Sequence, residues 1–186
     1  MSKRDLLSLA DKAIKVFSKE TKDLEYLSNL RYNKSWFPNT GMYDWFSSQL
    51  LYCLLRYIKP KQIIEVSTSS GYSTLFTALA LKKNKGGRID TFELDEKVYR
   101  AAKKNFKRFQ VDKYVNAHLG DAKEETKKIK DLSKVDIFFL DSLHNEQFAR
   151  WFIDSLVLKS KDSALFHMHD ILPTHARVRK SGGPPW

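Results

Sequence analysis

The 186-residue chain has one cysteine, Cys53, which excludes an intramolecular disulfide framework and suits a reducing compartment. It has no apolar run near the roughly 18 residues that a membrane span needs. Its amino terminus, MSKRDLLSLADKAIKVF, mixes acids into an amphipathic pattern and lacks a signal-peptide core. A cytoplasmic protein with no membrane partner is expected. Internal repeats and domain linkers are also lacking. Acidic residues are outnumbered, 22 against 33 Lys and Arg, for a net charge of +11. That excess invites a nucleic-acid reading. However, the lysines (Lys82, Lys83, Lys85, Lys97, Lys103, Lys104, Lys107, Lys127, Lys128, Lys130) are scattered over helix faces and loops, without interleaved aromatics for base stacking. Nucleic acid is therefore the disfavoured partner, though the charge keeps it open.

What the chain does contain is the composition of a globular protein, 42% hydrophobic and 13% aromatic, at a length that supports one domain with a proper core. Its organising stretch runs from Ile63 to Asp95. Ile63, Ile64 and Val66 read as a buried parallel strand. A polar turn, Ser67-Thr68-Ser69-Ser70-Gly71, leads into a helix from Tyr72 to Lys83 that stops at a basic turn and Gly86-Gly87. A second strand, Ile89 to Leu94, carries Glu93 near its carboxyl end. In doubly wound sheets, that turn and that acid bound the crevice for a nucleotide-like ligand. The turn lacks the three glycines of a dinucleotide fingerprint, since Gly71 stands alone and serines occupy the other places. A diphosphate would be poorly served, which disfavours a nicotinamide dehydrogenase. A ligand with an adenosine and no phosphate needs a less close approach, and serine hydroxyls can bond to its carboxylate or amino group. Glu93 lies 22 residues beyond Gly71, near the spacing of about 20 for a ribose-binding acid. A strand–turn–helix that binds nothing is the bland alternative.

The run Glu65-Val66-Ser67-Thr68-Ser69-Ser70-Gly71-Tyr72-Ser73-Thr74 resembles the first motif of class I S-adenosylmethionine-dependent methyltransferases, in the small-molecule O-methyltransferase branch with a Glu-x-Gly-x-x-x-Gly-Tyr-Ser signature. Thr91-Phe92-Glu93-Leu94-Asp95 resembles the second motif, Gly120-Asp121-Ala122 the third and Phe139-Leu140-Asp141 the fourth. The likeness covers about residues 40 to 170, with Ser67 where the family usually has glycine. It implies S-adenosyl-L-methionine as cofactor, contacted by Glu65, Ser67, Ser69, Gly71, Tyr72, Ser73, Glu93, Leu94, Asp121, Ala122 and Asp141. It also implies a small hydroxylated molecule as substrate. A degenerate or structural S-adenosylmethionine-binding subunit and an RNA methyltransferase are the other readings.

Along the chain, residues 4 to 29 read as helix with an apolar stripe of Leu6, Leu7, Ala10, Ile14 and Phe17. Residues 30 to 42 read as a loop whose Trp36, Phe37 and Met42 form a lid or, more simply, a plug. Residues 1–42 are thus an N-terminal helix and lid-like loop, and 43–186 the methyltransferase-like domain. Tyr43 to Ile58 reads as a helix with Phe46, Leu50, Leu54 and Tyr57 on one face, ended by Pro60. Strands follow at about 62–67, 88–94, 114–119, 135–141 and 163–169. Helices lie between them at 72–83, 95–109, 122–130 and 145–158; Val98, Ala102 and Phe109 face the sheet from the second of these. This alternation predicts an α/β, doubly wound Rossmann-like parallel sheet. The resemblance implies the order 3-2-1-4-5 and two further antiparallel strands, for which no sequence is left after the fifth. The fifth strand is then an exposed edge. Either a partner subunit covers it, as in a homodimer, or the chain is a fragment, which its abrupt aromatic end favours.

Methyl transfer to a hydroxyl needs in-line positioning and removal of the hydroxyl proton, by a general base or through a metal. Candidates cluster after strands four and five, in Asp141-Ser142-Leu143-His144-Asn145 and His167-Met168-His169-Asp170. Asp141 and Asp170 could hold Mg²⁺ or Mn²⁺, a pair resembling the metal site of cation-dependent O-methyltransferases. The spacing of Asp141 and His144 resembles sugar and antibiotic O-methyltransferases, with His144 as general base. Asp141 could equally cap the next helix, and Asp121 could be an ordinary helix-start residue. His167 reads as a core or interface histidine.

Overall fold

The computed structural model describes residues 3–38, 43–143 and 145–169. Asp170 and His144 lie outside the described residues, as do Met42 and the chain beyond 170.

Five parallel strands form one sheet in the order β3-β2-β1-β4-β5, as the resemblance implies. They are β1 (Gln62–Val66), β2 (Arg88–Glu93), β3 (Val115–Leu119), β4 (Ile137–Leu140) and β5 (Leu165–Met168). β1 is central, with Ile63 in register with Ile89 on one side and Ile137 on the other. Its Ile63, Ile64, Glu65 and Val66 are all buried, because helices cover both faces. Further along the chain are α1 (Lys3–Thr21), α2 (Tyr26–Leu30), α3 (Trp45–Ile58), α4 (Tyr72–Asn84), α5 (Glu96–Arg108), α6 (Ala122–Glu125) and α7 (Glu146–Ser155). α3, α4 and α5 cover the face carrying Ile63, Ile89 and Phe139. α7 and the α6 segment cover the face carrying Ile64, Phe92 and Phe138.

The single helix expected over 4–29 is two helices joined by a 3-10 turn, Lys22–Leu24. The break follows Thr21, whose buried hydroxyl bonds back to the Ser18 carbonyl (2.8 Å) and reaches Gln49 (3.0 Å). Such back-bonding competes with continued helix. The turn also lets Leu27, fully buried, enter the same core as α4. The expected stripe on α1 is mostly outside: Leu6, Leu7 and Ile14 are exposed and Ala13 is the buried contact. A polar clasp fixes α1 to α3. Arg56 makes a two-pronged pair with Glu20 (2.8 and 3.0 Å), Tyr52 donates to the same carboxylate (2.8 Å), and the guanidinium lies over Phe17 and also bonds Asn84 of α4.

Asp44 caps α3 through the Ser47 N–H (2.9 Å), and left-handed Lys59 ends it before Pro60. Its buried side is Ser48, Leu51, Tyr52 and Leu55, not the stripe the sequence suggested; Phe46 is 78% exposed and Tyr57 39%. Both sets have helical spacing, and the set that meets α1 and α4 is the one buried. On α5 the sheet-facing residue is Phe106 rather than Phe109, which packs against Trp36 and Tyr26. α6 is one turn long, continued by the 3-10 turn Thr126–Lys128, instead of a helix to 130; the Thr126 hydroxyl bonds the Ala122 carbonyl. Phe37 is buried edge-on against Tyr72 (5.4 Å), and the Trp36 carbonyl accepts from Asn105 (2.8 Å). Those two residues are a plug, not a lid.

Candidate functional site

The crevice opens at the carboxyl ends of β1 and β2, where the chain leaves the sheet through an unusual turn. Ser67, Ser69 and Gly71 all have positive φ (84°, 50° and 85°). The N–H groups of Thr68, Ser69 and Gly71 are spent inside the protein, on the Phe92 carbonyl, the Glu93 carboxylate and the Thr68 carbonyl, so the turn is a braced scaffold rather than an open row of donors. Ser67 and Ser69 are partly accessible, whereas Thr68 and Ser70 are buried. The turn is pinned to β2 by the Thr68 N–H on the Phe92 carbonyl (2.8 Å) and the Thr68 and Thr91 hydroxyls in contact (2.7 Å). Gly71 is required twice over, by its left-handed φ and by α5. A Cβ there would stand 2.7 Å from the Phe106 ring.

Beneath the turn lies Glu65, fully buried, its carboxylate accepting from Ser73 (2.7 Å), Thr74 (2.5 Å) and Thr91 (2.6 Å). Burial pushes its pKa up to about 7, against three hydroxyls that favour the ionised form. Glu65 and Ser73 therefore tie β1, β2 and α4 together under the turn. Tyr72 is buried as well, donating to the Leu27 carbonyl (3.0 Å). Of these three expected cofactor contacts, none directs its side-chain polar group to solvent.

Glu93 is the accessible carboxylate of the crevice. It accepts the Ser69 N–H on one oxygen (2.7 Å) and the Asp95 N–H on the other (2.9 Å), so its position is fixed while each oxygen keeps acceptor capacity. Leu94 follows it, 73% exposed, and Leu119 at the end of the neighbouring strand is 41% exposed. Exposed leucines beside a held carboxylate suit a planar ring bearing a sugar. Asp121 is exposed and caps α6 through the Lys123 N–H (2.8 Å), the ordinary helix-start role; Ala122 is half-buried behind it. Leu119 was not singled out from the sequence, where it is one apolar residue at a strand end.

The second wall stands at the ends of β4 and β5. Asp141 does not cap the following helix: Asn145 caps α7 through the Phe148 N–H (2.9 Å). Instead, an Asp141 oxygen lies 3.2 Å from His169 Nδ1. The His169 ring packs edge-on against Tyr43 (4.8 Å), and the Tyr43 hydroxyl meets His167 Nε2 at 3.0 Å. Burial, then the charge of neighbouring His169, pushes His167 down to about 4, so it is neutral near pH 7. Burial, then the charges of Asp44 and Asp141, raises the Tyr43 phenol above its ordinary value. The phenol thus keeps its proton and shares one hydrogen bond with the neutral imidazole. Strict alternation along β5 puts both histidines on one side, as expected. Tyr43 was missed because it read as the first residue of a helix, and nothing local marks a residue whose partner lies 124 positions away.

As a metal centre the described residues are incomplete: among them no group of three His, Cys, Asp or Glu side chains could hold an ion. Asp141 supplies one carboxylate, already oriented by an imidazole as ligating carboxylates commonly are. No helix among the described residues is long and apolar enough to cross a membrane.

Residues 64–171 match a sequence family described as a methyltransferase domain. A catechol O-methyltransferase of Niastella koreensis is 36% identical over 85 residues, which make up 46% of this chain and 34% of that protein. A caffeoyl-CoA O-methyltransferase of Stellaria longipes is 32% identical over 108 residues, 58% of this chain and 43% of the relative. The chain therefore covers less than half the length of each of these relatives. The solved structure of the O-methyltransferase TomG from Streptomyces achromogenes, involved in tomaymycin synthesis and in complex with SAM, shares the fold. It matches with a TM-score of 0.61 at 19% identity, over 92% of this chain and 74% of that one.

Proposed function

Since the chain belongs to the methyltransferase domain family that it matches over residues 64–171, we propose that it transfers a methyl group from S-adenosylmethionine to a hydroxyl of a small molecule. The observation that carries this reading is the pairing of the left-handed Ser67–Gly71 turn with the held carboxylate of Glu93. Two vicinal ribose hydroxyls can donate to Glu93, and the exposed side chains of Leu94 and Leu119 can flank the adenine. The Ser67 and Ser69 region is left for the amino-acid end of the cofactor. The bound cofactor supplies the electrophilic methyl group.

On the acceptor side, the His169–Asp141 and Tyr43–His167 pairs form a hydrogen-bonding wall fixed from two strands and a loop. Its part is to orient an acceptor oxygen in line with the methyl group. Asp141 and Asp170 are the carboxylates that would hold Mg²⁺ or Mn²⁺, whose charge would acidify the acceptor hydroxyl. His144 is the metal-free candidate for taking the proton.

Calorimetry with S-adenosylmethionine, its demethylated product and NAD tests the cofactor. The first two should bind and NAD much more weakly. Glu93→Ala should lower affinity by about 1.5–3 kcal/mol, the worth of hydrogen bonds to a charged acceptor. Equal affinity for NAD, or no loss in the Glu93 variant, would sink the reading.

A further inference from the structure

A second concave site begins at Lys123, next to Asp121 and Ala122, and extends away from the crevice. The segment from α6 through the 3-10 turn Leu132–Lys134 and the far end of α7 enclose a cleft of about 480 Å³, within the range of small-ligand sites, roughly 300–1,000 Å³. α7 runs back from the carboxyl end of β4 toward the start of β5, so its end lies at the opposite pole of the sheet from the Ser67–Gly71 turn. Lys123, Lys127, Lys130 and Lys159 line this cleft against one acid, Asp131. That acid is already committed: it accepts from the N–H and hydroxyl of Ser133 (3.0 and 2.6 Å) and lies 3.4 Å from Lys134. Lys127 reaches Glu124 at 2.7 Å, but both side chains are about two-thirds exposed, and such surface pairs contribute little. Lys123 lies 5.5 Å over the Phe148 ring. Lys130 and Lys159 have no ion pair among the described residues. Trp151 forms the apolar wall, tilted against Phe148 at 5.0 Å, and its indole N–H has no acceptor among the described residues.

The cleft thus offers positive charge in excess, with one flat ring. Four ammonium groups lining one cleft against a single acid favour an anion there. We propose that this cleft binds a small phosphorylated ligand of nucleotide size, its phosphates held by Lys127, Lys130 and Lys159 and its ring against Trp151. Lysine ammoniums suit phosphate as compact point charges. A nucleic-acid strand would instead want a continued track of aromatics among the lysines, and here there is a single ring in a bounded cleft.

The test is a titration of the ¹⁵N-labelled full chain with ADP, read at the Trp151 indole cross-peak, which is identified by its loss in Trp151→Phe. This readout separates the cleft from any adenosine binding in the crevice. ADP should move the peak saturably, inorganic phosphate should move it less, and adenosine should leave it in place. Lys130→Ala with Lys159→Ala, both exposed positions, should weaken ADP by about tenfold without moving the other indole peaks. A peak unmoved by millimolar ADP overturns the proposal, as does one moved as far by adenosine or one indifferent to the lysine variants. So does a single-stranded RNA oligonucleotide that binds at this peak more tightly than ADP.

Discussion

Glu65 shows how far a residue's place can differ from its motif. Its position in the Glu-x-Ser run implied a cofactor contact, but the chain buries it under the turn with three hydroxyl donors. Its pH signature follows. The carboxyl titrates near 4.5 when free and is pushed up to about 7 by burial in the fold. Between those values the native state holds a proton that the unfolded chain has lost. Glu65's contribution to stability is therefore full below about pH 4.5 and declines as pH rises toward 7. The whole span is worth on the order of 3 kcal/mol. Denaturation of the wild type and Glu65→Gln at a series of pH values should show this slope only in the wild type. The same slope in both would assign it elsewhere. Glu20 works in the opposite direction, since its hydrogen bond to Arg56 holds its carboxyl below the usual range.

Among elements, the strands were the most legible, because β-branched and aromatic runs bounded by turns at regular intervals admit few other readings. Helix faces were less so. α3 carries two candidate stripes, Phe46-Leu50-Leu54-Tyr57 and Ser48-Leu51-Tyr52-Leu55, and spacing alone cannot say which meets a neighbour. The choice is made by α1, whose Glu20 is held by Arg56 and Tyr52 from the second side of α3. That contact depends on positions 32 and 36 residues apart, which no local pattern reports. The clasp should accordingly stabilise the α1–α3 pairing. Arg56→Ala should cost about 1.5–3 kcal/mol in a urea unfolding series, less for the part of Glu20 that remains wet. A double-mutant cycle with Glu20→Ala should return a coupling of about 1 kcal/mol or more. A coupling near zero would reduce the clasp to a surface pair with no energetic role.

At the scale of the whole molecule, the sheet brings to one rim residues that the sequence holds far apart: the Ser67–Gly71 turn, Glu93, Asp141 and His169, and Tyr43 from before α3. The crevice was legible because the first two belong to one βαβ unit and the motif order fixes the rest. The wall at the ends of β4 and β5 was legible only in part, since its contacts cross from a loop to the fifth strand. For the proposed cation, methyl transfer to a small hydroxylated acceptor should vanish on chelation and return with Mg²⁺ or Mn²⁺, and Asp141→Ala should abolish that rescue while cofactor binding persists. Activity that survives chelation would move the proton to His144, whose Ala variant should then cost roughly 10²–10⁴ in rate.

Gly71 carries a consequence for how this molecule can change over generations. The atom that a side chain would displace belongs to Phe106, on a different helix, not to any ligand. A side chain at 71 therefore strains the contact between α4 and α5 as well as the turn itself. Drift at the two positions is linked: a smaller residue at 106 relieves the tightest clash at 71, leaving the Ala102 Cβ at 3.2 Å. The left-handed φ of 85° remains as a second veto, one that residue 106 has no means to lift, so shrinking residue 106 does not by itself free position 71.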